Sequence, residues 1–435
     1  MPPAPRIFPG YTVAAASTVA FIATAPGQTM LVSQLNLPLR EAFGIDELTL
    51  NASYTIATVL ASFPLVLVGA LTDRFGPRRM IALIALVYGL GCLVMAGAQG
   101  FVTVFLAFFL LRFLGQGALA LASQHAVAMW FHRKLGRVHG VKQVIVFGVW
   151  SVFPPLSLLL IESMGWRWTY ALFALLIWVT VIPVALVFIR NKPEDLGLNM
   201  DNDPPDPAAD PSFTTPPDPT SVGPNPPRQS VKPREPAFTL KQASRTRAYW
   251  TLAAAFFLAP LIGTGFLFDM QPILAQRGLG AGVAAAAVSV WTITMAVMAL
   301  PGGVLVDKVR PSALISVGMG MIALSSVLLW IASSAVGAGA AMAAFAVGQS
   351  LVASCGTATA ARYFGRTHHG RIRSSLTRIG VIGTGLGTLF TGVSASLTGG
   401  YEGAMLAFVI LCVPVVLLAM SLDRPEEPTR DGAEG

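Results

Sequence analysis

An internal echo at an offset of 234 residues constrains this chain more than any single motif. Ala25-Pro26 recurs as Ala259-Pro260, Pro38 as Pro272, Gly44 as Gly278, Gly69 as Gly303, Asp73 as Asp307 and Gly165 as Gly399. The matched residues are those that bend or cap helices, and they recur inside long apolar stretches. The chain therefore carries one multi-helix design twice. Two homologous apolar units related by pseudo-symmetry describe a protein whose halves move against each other around a site at their junction.

The surroundings of the echo identify its solvent. Hydrophobic residues make up 54% of the chain and charged residues 11%, with a mean hydropathy of +0.66, well outside the composition of soluble domains. A bilayer crossing takes about 20 apolar residues. Twelve such stretches are expected, at 11–35, 50–71, 79–98, 101–130, 139–161, 168–189, 248–276, 281–306, 311–332, 336–362, 372–397 and 401–421. The fold class expected is an all-α membrane protein, with twelve transmembrane helices in two pseudo-symmetric six-helix bundles. Residues 1–189 form the first bundle, 248–421 the second and 422–435 a cytoplasmic tail.

Between the bundles, residues 190–247 change character, with twelve prolines from Pro204 to Pro236 and few large apolar side chains. Such a composition cannot bury enough surface to fold, so a disordered, proline-extended cytoplasmic linker is expected.

A net charge of +8 raises the question of nucleic acid, and the placement of the charge answers it. Among 29 Lys and Arg, only Arg40, Arg167 and Arg277 fall in loops after odd-numbered spans, and only Arg112, Lys142 and Arg378 fall within spans. The rest mark the opposite side. By the positive-inside rule both termini and the linker are cytoplasmic, in the inner or plasma membrane of the cell, and no nucleic-acid partner is implied. The first apolar stretch contains Thr24, Gln28 and Gln34 and is too long for a signal-peptide core, so it is expected to be retained. Cys92, Cys355 and Cys412 lie singly in apolar spans, which points to packing rather than disulfides or a metal. No phosphate loop, metal motif or nucleophile-base pair is present, so no enzyme activity or cofactor is expected, and the energy for movement must come from a gradient.

After span 2 the sequence reads Gly69-Ala70-Leu71-Thr72-Asp73-Arg74-Phe75-Gly76-Pro77-Arg78-Arg79, and after span 8 a weaker copy runs Gly303-Val304-Leu305-Val306-Asp307-Lys308-Val309-Arg310. This resembles the cytoplasmic loop signature of the major facilitator superfamily, and the resemblance extends over essentially the whole chain. It implies that Gly69, Asp73, Arg74, Gly76, Arg78, Arg79, Gly303 and Asp307 form a conformational latch. In physical terms, glycine permits close helix approach, an aspartate suits a helix N-terminus, and the arginines would pair across the bundle interface. A solvated, topology-setting basic loop is the plainer alternative.

Four further patches resemble the monocarboxylate porter and oxalate/formate antiporter branch: Ala25-Pro26-Gly27-Gln28-Thr29, Trp130-Phe131 through Arg137, Gly165-Trp166-Arg167-Trp168, and Lys192-Pro193-Glu194-Asp195-Leu196-Gly197-Leu198. That branch moves small organic anions with a proton or against another anion. Span 5 offers Gly148 and then Phe153-Pro154-Pro155 in place of the glycine-proline run of drug/proton antiporters, which argues against multidrug export. Span 4 departs from the superfamily pattern too, since Arg112 is followed by Gly115 and Gly117 rather than by a glycine four residues on.

Charges at membrane depth are costly and so point to function. Arg112, on a stripe with Gln116 and Ser123, is a candidate for substrate binding or coupling, with a structural hydrogen-bonding role as the alternative. Arg378 shares a stripe with Arg371 and Ser374. Its planar fork suits a carboxylate, and snorkelling to the inner surface is the alternative. Asp269 is the candidate proton-coupling residue, with a fixed arginine pair as the alternative. Gln28, Asn51 and Tyr54 are candidates for hydrogen bonds to substrate, although polar residues often simply join helices. His125 is expected to be packed, and Lys142 to reach the headgroups or the cavity.

The expected function is secondary active transport of a small organic anion, a monocarboxylate, by alternating access with proton symport. The partners are then the anion, protons and the bilayer, and the chain acts as a monomer. Anion/anion exchange and a transporter-like membrane sensor that signals through the linker are the alternatives.

Overall fold

A computed structural model describes residues 8–131, 134–202, 238–364 and 369–422, and these are helical with no strand among them. Nine helices among the described residues are long and apolar enough to cross a bilayer. The segment Leu135–Phe188 holds two crossings joined at Gly165, whose φ of 80° turns the chain between spans 5 and 6. Spans 1 and 2 complete the set as interrupted helices, Pro9–Ile22 continuing to Asn36–Phe43, and Glu47–Ser62 continuing to Leu65–Phe75. "Inner" below denotes the side carrying the basic loops.

The echo in the sequence is an echo in the backbone. Gly44 and Gly278 have φ of 62° and 73°, and Gly165 and Gly399 have φ of 80° and 71°. This left-handed region is one that residues with a Cβ avoid. Both copies of each glycine thus end a helix at the same place in the repeat. Helix starts are equally local in origin. Pro77 and Pro311 open spans 3 and 9, where a missing N–H costs nothing. Asp46 caps span 2 by accepting from the Thr49 N–H at 3.0 Å and from its hydroxyl. Those two donors, the hydroxyl first, hold the Asp46 carboxyl below the usual carboxylate range.

Outward-facing leucines and valines such as Leu159, Val179 and Leu397 form the surface that meets lipid, while the small residues meet one another. Spans 7 (Arg247–Phe268) and 11 (His369–Thr398) lie in backbone contact: a Cβ on Gly383 would stand 3.1 Å from the carbonyl carbon of Phe257. Close approach at small residues is how helices associate where water exclusion offers nothing. Gly383→Val is therefore expected to lower stability by about 1–3 kcal/mol, read as a lower melting temperature in detergent. Gly320→Val in span 9, where a Cβ meets nothing within 4 Å, is the matched control and should melt as the parent does.

Two expectations are corrected by the structure. Span 1 is not continuous over 11–35: it passes through a tight turn at Ala25–Gly27 and a second at Ser33–Leu35. Pro26 lacks the N–H that a regular helix needs, and Gly27 lies against the Leu111 carbonyl. The second break has a counterpart in the other half. Leu35 (φ −88°, ψ −10°) and Asp269 (φ −103°, ψ 17°), again 234 residues apart, both stand where a helix is interrupted.

The linker, in turn, does not begin at residue 190. Asp201 accepts from the Lys134 N–H at 3.2 Å, and its own N–H donates to the Trp130 carbonyl at 3.1 Å, so residues up to 202 dock on the first half. At the other end the Phe238 N–H donates to the Phe364 carbonyl at 3.0 Å, and Thr239 caps a short helix. Residues 203–237 lie outside the described residues.

The loop after span 2 makes no cross-bundle pairing among the described residues in this conformation. The Arg78 guanidinium donates to the Leu186 carbonyl and its backbone N–H donates to Asn191 Oδ1, both within the first half. Arg74 lies over the Phe75 ring, Arg79 is exposed, and a Cβ on Gly69 would meet nothing within 4 Å. Gly76, at φ 81°, reverses the chain so that Pro77 can open span 3. The side chains of Asp73 and Asp307 and the surroundings of Gly303 lie outside what is described.

Candidate functional site

The break in span 1 and an irregularity in span 4 meet at Arg112. Span 4 widens into π-helical turns over Leu111–Leu119, a distortion that recurs at functional sites because it re-aims side chains. Arg112 is 4% exposed. Its Nε donates to Thr58 Oγ1 at 3.1 Å, and Nη1 donates to Thr29 Oγ1 at 3.2 Å and to the Gly27 carbonyl at 3.5 Å. The guanidinium lies 5.1 Å from the centre of the Tyr54 ring, and the Tyr54 and Thr29 hydroxyls are 3.0 Å apart. Every one of these partners is neutral. The ion pair found among the described residues is Arg40 with Glu47, near the outer ends of spans 1 and 2, and no carboxylate pairs with Arg112.

Arg112 lines a cavity of about 150 Å³ together with Thr58 and Ser62 of span 2, Gln116, and Val381 and Thr384 of span 11. A second lobe of about 220 Å³ shares Gln116 and Thr384 with the first. It extends to Gln28, Trp150, Trp291 and Gln349. Both halves thus contribute walls. The Oε1 of Gln116 is buried without a partner, whereas Gln349 Oε1 is occupied by the Trp291 indole N–H at 3.0 Å. Each lobe is smaller than the roughly 300–1,000 Å³ of pockets for drug-sized ligands, which fits a small polar solute.

Outward of this cavity the halves are tied together. Asp269, wholly buried, accepts from Asn36 Nδ2 at 3.0 Å and from Asn51 Nδ2 at 3.1 and 3.2 Å, and Thr391 also donates to it. Asn36 and Asn51 belong to the first half, Asp269 and Thr391 to the second. Gln271 donates to Gln34 at 3.0 Å, the Thr55 and Thr388 hydroxyls are 2.8 Å apart, and the Tyr401 hydroxyl donates to Glu47. The ring of Tyr54 packs 4.3 Å from that of Phe268.

The residues singled out in the sequence thus divide into three places. Arg112 and Gln28 line the cavity. Tyr54 stands behind Arg112, fully buried, and Asn51 belongs to the outer tie, so neither reaches the cavity wall as a substrate ligand would. Asp269 has neutral donors in place of the arginine pair that was one alternative. Arg378 is exposed, inward of Thr384 on span 11, and is absent from both lobes. Ser123 turns its hydroxyl onto the Leu119 carbonyl of its own helix. Residues the sequence did not single out are Thr29, Thr58, Trp150, Trp291, Gln349 and Thr384. Gln116 was signalled by its stripe with Arg112. The three cysteines are buried, and none forms a disulfide among the described residues.

Two six-span halves joined at their outer ends enclose a central cavity walled by Arg112, Gln116 and Gln28 of the first half and Gln349 and Thr384 of the second. The chain belongs to the Major Facilitator Superfamily, which it matches over residues 17–374 and again over 278–435. It is similar to the uncharacterized transporter YhjX of Escherichia coli (strain K12), at 24% identity over 298 residues that span 66% of this chain and 62% of that protein. Its fold is that of crystal structures of a bacterial homologue of the human lysosomal transporter Spinster. The inward-facing, unoccupied form superposes with a TM-score of 0.69 at 13% identity, covering 95% of this chain and 96% of that one. The inward-facing, occupied form gives 0.65 at 14%, covering 95% of each.

Proposed function

We propose that this transporter moves a small organic anion, a monocarboxylate, and that Arg112 supplies the charge that recognises it. The observation that carries this reading is a buried guanidinium at the cavity wall with neutral partners only. A charge at that depth costs about 2.5–3.5 kcal/mol even on insertion scales, and a carboxylate offset against its planar fork repays that cost. Gln116, with a buried acceptor to spare, stands in both lobes to read a hydroxyl or an acid proton. Branch-like patches in the sequence favour the same substrate class.

The outer tie gives the cycle its second element. With Asn36, Asn51 and Thr391 gathered on Asp269, the protein rests with its outer side closed and its cavity inward of the tie, as in the inward-facing Spinster homologue structures. A proton on Asp269 turns an acceptor into a donor. Rotating either asparagine amide then presents Oδ1, which is buried without a partner at both residues. Proton uptake therefore exchanges a charge-assisted tie for a neutral one that holds the halves less strongly, and that difference couples the proton to opening. Arg378, exposed on the inner part of span 11, stands where an anion leaving the cavity meets the cytoplasm.

Uptake of labelled lactate, pyruvate, formate, oxalate and succinate into proteoliposomes tests this reading. Accumulation of one acid driven by an inward proton gradient, and lost in Asp269→Asn, is the expected result. Flux that needs an internal counter-anion and ignores the proton gradient would replace symport by exchange. No flux of any acid, with silencing of a cellular response on linker deletion, would favour the sensor.

A further inference from the structure

A second buried cation has no role in the transport cycle described above. Lys142, 3% exposed, has its Nζ buried without any hydrogen-bond partner, 4.6 Å from the centre of the Phe21 ring. It lines a groove of about 430 Å³ between the inner ends of spans 1 and 5, separate from the central cavity. Lys134 and Arg137 stand at the groove's inner end, and Ala14, Ala15, Val141 and Ile145 form its floor and lips. Lys134 is partly spent, since its Nζ donates to the Asp201 carbonyl at 3.0 Å. Arg137 is exposed.

Span 5 itself shows which way the groove opens. Gly140 and Phe147, seven residues apart, face span 8 through Leu300 and Trp291, and Trp150 faces the central cavity. At about 100° per residue, the mean direction of Val141 and Ile145 lies about 160° around the helix from Trp150. Val141 and Ile145 are also exposed. The groove therefore opens to the bilayer, on the flank away from the transport path. An apolar groove at lipid depth, with cations at its inner end and an unpaired lysine in its wall, matches one chemistry: acyl chains below a phosphate.

We propose that this groove binds an anionic phospholipid of the inner leaflet, with the phosphate held by Lys142 and Arg137 and an acyl chain along Val141 and Ile145. Basic pockets between membrane helices on the cytoplasmic side take lipid headgroups in this way, and the phosphate supplies the counter-charge that the protein does not. The site also touches the cavity wall at one remove. Phe21, under the Lys142 ammonium, stacks on Trp150 at 5.7 Å, and Trp150 lines the cavity.

Native mass spectrometry of the delipidated full chain, titrated with phosphatidylglycerol or phosphatidylcholine of matched chains, tests the proposal. The first phosphatidylglycerol is expected to bind at least tenfold tighter than phosphatidylcholine. Lys142→Gln and Arg137→Gln should each remove most of that preference, while Val141→Trp, which fills the groove, should weaken both lipids. Lys241→Gln, an exposed inner-side lysine on the short helix before span 7, should leave the preference intact. Equal binding of the two lipids, or an unchanged preference in Lys142→Gln, would overturn the proposal. Where Lys142→Gln does not yield folded protein, an unchanged preference in Arg137→Gln does so. Displacement of phosphatidylglycerol by millimolar glycerol 3-phosphate would assign the cations to a soluble anion and overturn the lipid.

Discussion

Arg112→Gln is expected to cut transport about 100-fold while leaving the protein folded and in the membrane. A charge-assisted hydrogen-bonded contact contributes up to about 3 kcal/mol, and each 1.36 kcal/mol is a factor of ten. Glutamine keeps a donor that can reach Thr58 or Thr29, so the joint between spans 1, 2 and 4 retains a polar link, and the missing quantity is charge. Arg112→Lys keeps the charge and loses the fork. It should fall between the two, about tenfold down, with the loss in apparent affinity rather than in maximal rate. If Arg112 served only to glue helices, the lysine and glutamine variants would lose stability together and transport in proportion. Melting curves alongside initial rates separate the two cases.

Asp269→Ala is expected to open the outer side. The substitution leaves the buried Asn36 and Asn51 amides without their acceptor, while the Thr391 hydroxyl falls back on the Gly387 and Thr388 carbonyls of its own helix. An orphaned buried donor costs about 1–3 kcal/mol, and that penalty falls on the closed state alone because water reaches these groups when the outer ends part. A difference of this size moves a two-state equilibrium by one to two orders of magnitude. Spin labels at Glu41 and Gln276, exposed near the outer ends of spans 1 and 7, report it on a background lacking Cys92, Cys355 and Cys412. The parent should show one short distance and Asp269→Ala a dominant longer one. An unchanged distribution would mean that the aromatic and threonine contacts close the outer side without Asp269.

Fold class was legible because it depends on residues whose effect is local or summed. The two glycine pairs at 44/278 and 165/399 turn the chain wherever they occur, and apolar length alone places a helix in a bilayer. The candidate site was legible chiefly where charge marked it. Arg112 and Asp269 stood out because ionised groups are rare at that depth, yet their partners are threonines, asparagines and glutamines that occur in any membrane helix.

The span-4 distortion explains why helical phase misled at Ser123. Regular turns put it on the stripe of Arg112, whereas π turns over 111–119 rotate everything after them. Asn51 and Tyr54 were found as polar residues in the right span. What they do, closing the outer side and backing the guanidinium, depends on contacts with residues more than two hundred positions away or in a different helix, and no spacing rule encodes those. The latch was read from a loop motif, and no motif says which helix the loop faces in a given conformation; here a Cβ on Gly69 meets nothing within 4 Å.

The most direct test of the central claim is initial uptake of a small carboxylate against its neutral amide isostere, such as lactate against lactamide, in proteoliposomes of the parent protein. If the unpaired Arg112 charge selects the substrate, the acid is carried and competed only by other carboxylates, and the amide neither enters through the protein nor inhibits. Equal carriage of acid and amide, or transport of a cation with the acid inert, would contradict the account.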